Sequence, residues 1–261
     1  MTQDKDELKK RYENIAKSGD VTTTASDYHL RDLEIDFGLE HIRNGDKILD
    51  VGCGPGVALA AYASQRRIDA FGIDYAENMV AFAQNHLRDA APGKGIVVQH
   101  ASVTELPFGN DFFDVVTSHR CLMALLDWER QKAALKEICR VLKPGGLLVL
   151  MEGTHDGIER LNIWRQRFGL SEIDAAGRDR LITLKFREKE LLDFTEDYYQ
   201  LQRIQRWGMY YFLTRIVQPL LVSPEQPSYS HRLNEVAKQI ARCIPDLNEL
   251  GHLVGFALRK K

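Results

Sequence analysis

Along most of this chain, short apolar runs alternate with longer stretches whose apolar residues recur at helical spacing. Residues 4–17 and 26–42 read as amphipathic helices, the second with Leu30, Leu33 and Phe37 on one face. Asn44-Gly45-Asp46 is a turn. Strands follow at 47–51, 68–74, 95–100, 112–118 and 147–152, with helices between them at 57–66 and 77–88. A further helix, capped by Asp127, runs to Leu142, where Lys143-Pro144-Gly145-Gly146 is expected to end it sharply. Beyond residue 152 the pattern predicts helices at 156–168, 188–197, 209–222 and 230–242, and strands at 199–207 and 252–259. Residues 170–187 read as a loop insertion.

Short apolar strands alternating with helices imply a parallel sheet covered on both faces. The expected class is therefore α/β, with a seven-stranded, mostly parallel sheet in one domain over 1–261. Residues 1–44 and the helices after the fifth strand are the expected lid elements.

Composition narrows the setting. The chain has 261 residues, 44% apolar and 28% charged, the balance of an ordinary globular protein. That excludes wholesale disorder, a collagen and a membrane bundle. The 35 basic and 37 acidic residues leave a net charge of −2, so no global field draws nucleic acid. Cys53, Cys121, Cys139 and Cys243 form no metal-ligand spacing, and they suit a reducing compartment. The polar N-terminus is no signal peptide. The longest apolar stretch, Met209 to Val222, is broken by Thr214, Arg215, Gln218 and Pro219, too short and polar to span a bilayer. These features predict a cytoplasmic monomer or homodimer with no metal, no membrane and no nucleic-acid partner.

The sharpest chemical signal is Ile48-Leu49-Asp50-Val51-Gly52-Cys53-Gly54-Pro55-Gly56, which follows the first strand and opens the first sheet helix. Glycine permits tight turning and lets a ligand approach the main chain. In an open α/β sheet such a crevice, at the carboxyl ends of the strands, is where ligands bind. A dinucleotide fingerprint is G-x-G-x-x-G with a pyrophosphate on the helix N-terminus. Here the glycines fall at 52, 54 and 56, and position 57 is Val57. Asp50 beside the loop opposes a pyrophosphate and suits an ammonium group. The pattern favours a zwitterionic adenosyl amino acid. The second strand ends at Asp74, whose carboxylate can accept both hydroxyls of a ribose; its structural alternative is a helix cap. Met79 can pack on an adenine or simply in the core. Ser102 or the Val103 amide can bond the adenine edge.

These segments resemble the class I S-adenosylmethionine-dependent methyltransferases. ILDVGCGPG (48–56), GIDYAENMV (72–80), ASVTELPF (101–108), FDVVTSHRCL (113–122) and EICRVLKPGGLLVL (137–150) occur in that family's order. The resemblance covers about residues 45–152, the expected cofactor-binding core, and implies a Rossmann-like sheet. It implies that Asp50, Gly52, Gly54 and Gly56 surround the methionine part of S-adenosylmethionine. It places Asp74 at the ribose and Met79, Ser102 and Val103 at the adenine. Cys53, Tyr75 and Ser118 are counted with the cofactor-binding residues. Family members of this type often carry an Asp where Ser102 stands, so that contact is weaker here. A narrower resemblance, through SDYHLRDLEI (26–35), SHRCLMALLDWERQ (118–131), residues 152–170 and the tail from Trp207, is to poorly characterised bacterial methyltransferases of polysaccharide and small-metabolite gene clusters.

Methyl transfer is an in-line displacement in which the cofactor supplies the electrophile and the protein supplies position and surroundings. The segment after the fourth strand is expected to face the methyl group. There His119 is the candidate base, since an unperturbed imidazole titrates near neutrality. Glu152, at the end of the fifth strand, is expected to orient His119 or a substrate hydroxyl. Arg120 can hold an anionic substrate group or the cofactor carboxylate. Tyr12 and Arg31 are candidates to close over the cofactor, Arg31 on its carboxylate. Tyr28 and Tyr211 are candidate substrate walls. From Arg160 to Arg215, 11 basic against 8 acidic residues leave an excess of three, compatible with one phosphate-bearing small substrate or a solvated face.

The expected function is transfer of a methyl group from S-adenosylmethionine to an oxygen or nitrogen of a small molecule, such as a sugar or other metabolite. The alternatives are an RNA or other macromolecule methyltransferase, a nicotinamide-dependent oxidoreductase, and a non-catalytic S-adenosylmethionine-binding protein. An N/D-P-P-Y/F signature is absent at the fourth strand, and Val57 counts against the nicotinamide reading.

Overall fold

The structure, a computed structural model, describes residues 2–22, 24–174, 183–244 and 249–261. Two helices, α1 (Thr2–Lys17) and α2 (Tyr28–His41), precede the sheet. The sheet half that follows is β1 (Lys47–Val51), α3 (Val57–Gln65), β2 (Asp69–Asp74), α4 (Glu77–Ala90), β3 (Val97–His100), β4 (Phe113–His119), α5 (Trp128–Val141) and β5 (Leu142–Gly153). Then come α6 (His155–Arg167), α7 (Glu188–Thr195), β6 (Tyr199–Gln205), α8 (Gly208–Phe212), α9 (Gln218–Val222), α10 (Arg232–Cys243) and β7 (Leu253–Lys260).

The seven strands lie in the order β3-β2-β1-β4-β5-β7-β6. β1 to β5 are parallel, and β7 runs antiparallel between β5 and β6. This is the expected α/β class. The parallel strands are apolar on both faces because helices cover both. One layer packs Leu33, Phe37, Leu59 and Tyr211 against one face, and another packs Leu135, Ile138, Leu191 and Tyr199 against the other.

Two expectations change. Lys143-Pro144-Gly145-Gly146 does not stand outside regular structure. α5 ends at Val141, and β5 begins at once, with Leu142 opposite Phe113 and a register shift before Val115 meets Leu147. Residues 143–146 themselves have no partner on β4, and Gly145 has φ 74°, so the tetrapeptide bulges out of the β4–β5 pairing. The helix expected at 209–222 is continuous in direction but has a π-helical segment, Leu213–Val217, between α8 and α9. Of the expected loop 170–187, residues 175–182 lie outside the described residues; Phe186 bridges to Thr154 beside β5.

α10 lies along α2 and pairs with it in matched steps. His29 Nδ1 meets Glu235 at 3.1 Å, Lys238 meets Asp32 at 2.9 Å, and Arg242 meets Asp36 at 2.8 Å. Positions 29, 32 and 36 thus face 235, 238 and 242, the same helical spacing read in the same direction. Below them, Phe37 fills the space a side chain at Gly255 of β7 would need; a Cβ there would lie 2.7 Å from its ring.

Candidate active site

At the carboxyl ends of β1, β2 and β4, under α1, lies a cavity of about 510 Å³. Its floor is the glycine loop. Gly52, Gly54 and Gly56 all have positive φ, at 66°, 52° and 78°. At Gly52 a Cβ would come within 2.5 Å of Cys121 Sγ, so the loop rests directly on the exit of β4. Gly56 caps α3 and does not line the cavity; its Cβ position is filled by Leu87.

Asp50 is 1% exposed yet borders the cavity, and it accepts the Thr117 hydroxyl at 2.7 Å. Burial pushes its carboxyl up to about 7, against the pull of that hydrogen bond. A carboxylate so placed is short of a cation. Asp74 is not the cap of α4. It accepts the Ala76 amide at 2.9 Å and the Gly54 amide at 3.1 Å, tying β2 to the glycine loop. Burial raises its pKa while those amides lower it. A carboxylate offers about four acceptor positions, and the Ala76, Gly54 and Tyr75 amides do not fill all of them. Tyr75, Ser102 and Val103 also line the cavity. The Ser102 hydroxyl is engaged with the Thr104 hydroxyl at 2.8 Å and with its amide, a local turn that fixes its direction.

α1 closes the top with Leu8, Arg11, Tyr12 and Ile15. Burial, with Asp74 nearby, pushes the Tyr12 hydroxyl up to about 12, so it remains a neutral donor. Glu13 holds this helix down. Its two carboxylate oxygens accept the Glu77 and Asn78 amides, each at 2.8 Å, and so cap α4 from another helix. The residue at the cap itself, Ala76, has no side chain for the task.

The β4 exit brings cations together. His119 Nε2 and Tyr62 Oη are 2.9 Å apart, and His119 Nδ1 is buried without a hydrogen bond. Burial first, then Arg120 and Arg31, holds its pKa down at about 3. His119 is therefore a neutral imidazole here, and the expectation of a base titrating near neutrality does not hold. Arg120 sits at φ 58°, an uncommon conformation for a non-glycine residue. That twist follows its amide's bond to Met151 O at 2.8 Å and turns the chain off the sheet. Arg31 lines the same cavity and donates to Val21 O at 3.0 Å.

Besides Gly56, five expected site residues lie elsewhere. Glu152 is fully buried; it accepts the Ser118 hydroxyl at 2.9 Å and the Leu122 and Met123 amides at 2.8 and 3.1 Å. It shapes the loop after β4 and does not touch His119. Ser118 is correspondingly buried under that contact and away from the cavity wall. Met79 is fully buried against Ala16 and Tyr12, the core between α1 and α4. Tyr28 packs on His29, not on the cavity. Tyr211 is fully buried between Tyr210 and His252 and accepts the Leu253 amide at 3.2 Å.

Sequence reasoning missed Tyr62, Glu34 and Arg130. Glu34 had a signal. It stands with Leu30, Leu33 and Phe37 on the buried stripe of α2, a carboxylate where a hydrocarbon is expected. Among the described residues, no cluster of His, Cys, Asp or Glu can hold a metal ion. No helix among them is long and apolar enough to cross a membrane.

Residues 48–146 match the family described as "Methyltransferase domain". The chain is 32% identical over 146 residues to a demethylmenaquinone methyltransferase of Bacillus subtilis, covering 54% of this chain and 60% of that one. It is 36% identical over 110 residues to an uncharacterized protein of Haemophilus influenzae, 42% of each chain. These matches span less than two thirds of the relatives' own lengths. Among solved structures, a chain of the Haloferax volcanii complex between the Trm112 methyltransferase activator and a methyltransferase aligns with TM-score 0.64 and 18% identity, over 97% of this chain and 96% of that one. A SAM-dependent methyltransferase of Methanosarcina mazei aligns with TM-score 0.57 and 20% identity, over 86% and 96%. At these identities the likeness is one of fold.

Proposed function

We propose that this chain is a class I S-adenosylmethionine-dependent methyltransferase acting on an oxygen or nitrogen of a small molecule. One observation carries the reading. A buried carboxylate, Asp50, and a second one bound to the glycine loop, Asp74, border one cavity at the carboxyl ends of the strands. The methyltransferase domain match over residues 48–146 supports it.

The cofactor, when bound, supplies a methyl group on a sulfonium sulfur, which takes the electron pair as the methyl passes to the nucleophile. The protein does the rest. Asp50 holds an ammonium group and Asp74 a pair of ribose hydroxyls. Gly52 and Gly54 let the main chain approach. Arg31 takes a carboxylate, and Tyr12, with Glu13 locking α1, excludes water from above. His119 lines the cavity as a neutral ring, its Nε2 held by the Tyr62 hydroxyl. A base held near 3 gives little help to a hydroxyl beforehand. It suits a neutral amine or an oxygen that is already acidic. The cavity volume, about 510 Å³ for cofactor and acceptor together, favours a small acceptor over a macromolecule.

The test is labelled-methyl transfer from S-adenosylmethionine into fractionated cell extract, with Asp74→Ala as control. Asp74→Ala should weaken S-adenosylhomocysteine binding by about 1.5–3 kcal/mol, the scale for hydrogen bonds to a charged group. Label in small metabolites supports the reading. Label in nucleic acid or protein, or an unchanged affinity for the variant, contradicts it.

A further inference from the structure

The β4 exit carries more positive charge than one cofactor carboxylate requires. Arg31, Arg120 and Arg130 all line the cavity. Arg31 lies at the start of α2 and is bound to Val21 O, in the segment whose Thr24 packs on Gly54 of the glycine loop. Arg120 instead begins the segment that continues through Met123, Leu125 and Leu126, which also line the cavity. Arg130, one turn into α5 on the same wall, makes no hydrogen bond or ion pair with a described residue.

Arg120 is not without a counter-charge. Its Nη2 lies 3.0 Å from Glu34 Oε2. Glu34 is fully buried, and neither of its oxygens has a hydrogen bond. A buried carboxylate offset only by one guanidinium at ion-pair distance is costly unless it serves another state of the protein. Burial pushes Glu34 up to about 7, with Arg120 and Arg31 pulling it down and Asp27 pushing it up. Tyr62, Tyr211 and Glu152 also feel its charge. Neutralising it by a proton is thus easy once Arg120 turns to another anion.

Resting on the methyltransferase reading, we propose that the methyl acceptor is an anion. Its carboxylate or phosphate binds Arg120, with Arg130 beside it, and its carbon skeleton lies on Met123, Leu125 and Leu126. Glu34 is the internal counter-ion that holds Arg120 in place until the acceptor replaces it. Glu34 is a positioning residue and does not touch the reacting atoms.

The experiment uses the full chain with labelled S-adenosylmethionine and small metabolites divided on an anion-exchange resin. Label should enter the retained pool. Arg120→Gln should lower that transfer by about ten- to a hundredfold, the scale of a lost charge-assisted bond, while S-adenosylhomocysteine affinity stays unchanged, which also reports that the variant is folded. Glu34→Gln should lower the acceptor KM at pH 8, where Glu34 is otherwise ionised, and leave kcat unaltered. Label confined to the unretained pool overturns the anionic acceptor alone. A raised KM in Glu34→Gln overturns the counter-ion role. No label in any small-molecule pool removes the methyltransferase reading, and this proposal with it.

Discussion

The Tyr62 hydroxyl and His119 Nε2 face each other at 2.9 Å, joining α3 to the end of β4 beneath the cavity. With Arg120 and Arg31 nearby and solvent removed, the imidazole is uncharged. The folded-state pKa, about 3, lies below that of an exposed histidine. Its contribution to stability is therefore complete above about pH 6.5 and is lost as pH falls toward 3. Nitrogen chemical shifts of His119 should report a neutral ring at pH 5. A ring that titrates between pH 6 and 7 would show that the pocket is wetter than its packing implies.

Asp50 has the opposite sign. Its folded pKa, about 7, is raised by burial, so the ligand-free protein carries a proton there part of the time at neutral pH. That proton favours the fold below the unfolded pKa, and the benefit fades as pH rises through 7. An ammonium group placed beside it stabilises the carboxylate and expels the proton. S-adenosylhomocysteine should accordingly bind more tightly as pH rises from 6 to 8, with proton release measurable by calorimetry in buffers of different ionisation enthalpy. Release should vanish in Asp50→Asn. Proton uptake would contradict the assignment of Asp50 to an ammonium.

Glu13 controls how long the cavity stays covered. Removing it deprives two α4 amides of their acceptor, a loss on the scale of a helix cap, about 0.5–2 kcal/mol. Glu13→Ala should release S-adenosylhomocysteine roughly two- to thirtyfold faster, with little change in the melting temperature of the sheet half. Stopped-flow displacement measures it. Equal release rates would mean that α1 does not gate the site.

Gly38 sits in α2 where a Cβ would meet Tyr62 Oη at 2.1 Å. An alanine there gains about 0.5–1 kcal/mol of helix propensity, but overpacking of this kind costs about 1–3 kcal/mol. Gly38→Ala should be net destabilising in urea and should break the Tyr62–His119 bond. Removing the hydroxyl with Tyr62→Phe should recover part of the loss, so the double variant is more stable than the sum of the singles. Simple additivity would show that the clash is absorbed elsewhere.

The strands and helices were legible because each carries its own period: Leu147 to Met151 is a continuous apolar run, and Leu30, Leu33 and Phe37 recur at helical spacing. The cofactor side of the cavity was legible for a related reason. Asp50, Gly52, Gly54 and Asp74 are contiguous with strand ends, so topology alone brings them together. The acceptor side was not. Arg120 meets Glu34 across a sequence separation of 86, and His119 meets Tyr62 across one of 57. Nothing local records such pairings. Glu152 misled for a different reason: a carboxylate at a strand end can face the ligand or the loop amides, and the backbone donors of Leu122 and Met123 claimed it.

The placement of β7 between β5 and β6 has a consequence for the birth of the protein on the ribosome. β1 to β5 pair only among themselves until the chain has passed Gly153, and every strand bordering the cavity is among them. β6 then waits: its one neighbour in the sheet is β7, which emerges about 50 residues later. Phe37 waits as well, since the space it fills lies over Gly255. The nascent chain thus holds a nearly complete ligand crevice beside an unclosed flank, and the final strand seals the sheet and the earliest sheet-covering helix in one event. Ribosome-bound chains cut short of residue 253 are the ones that will call on chaperones.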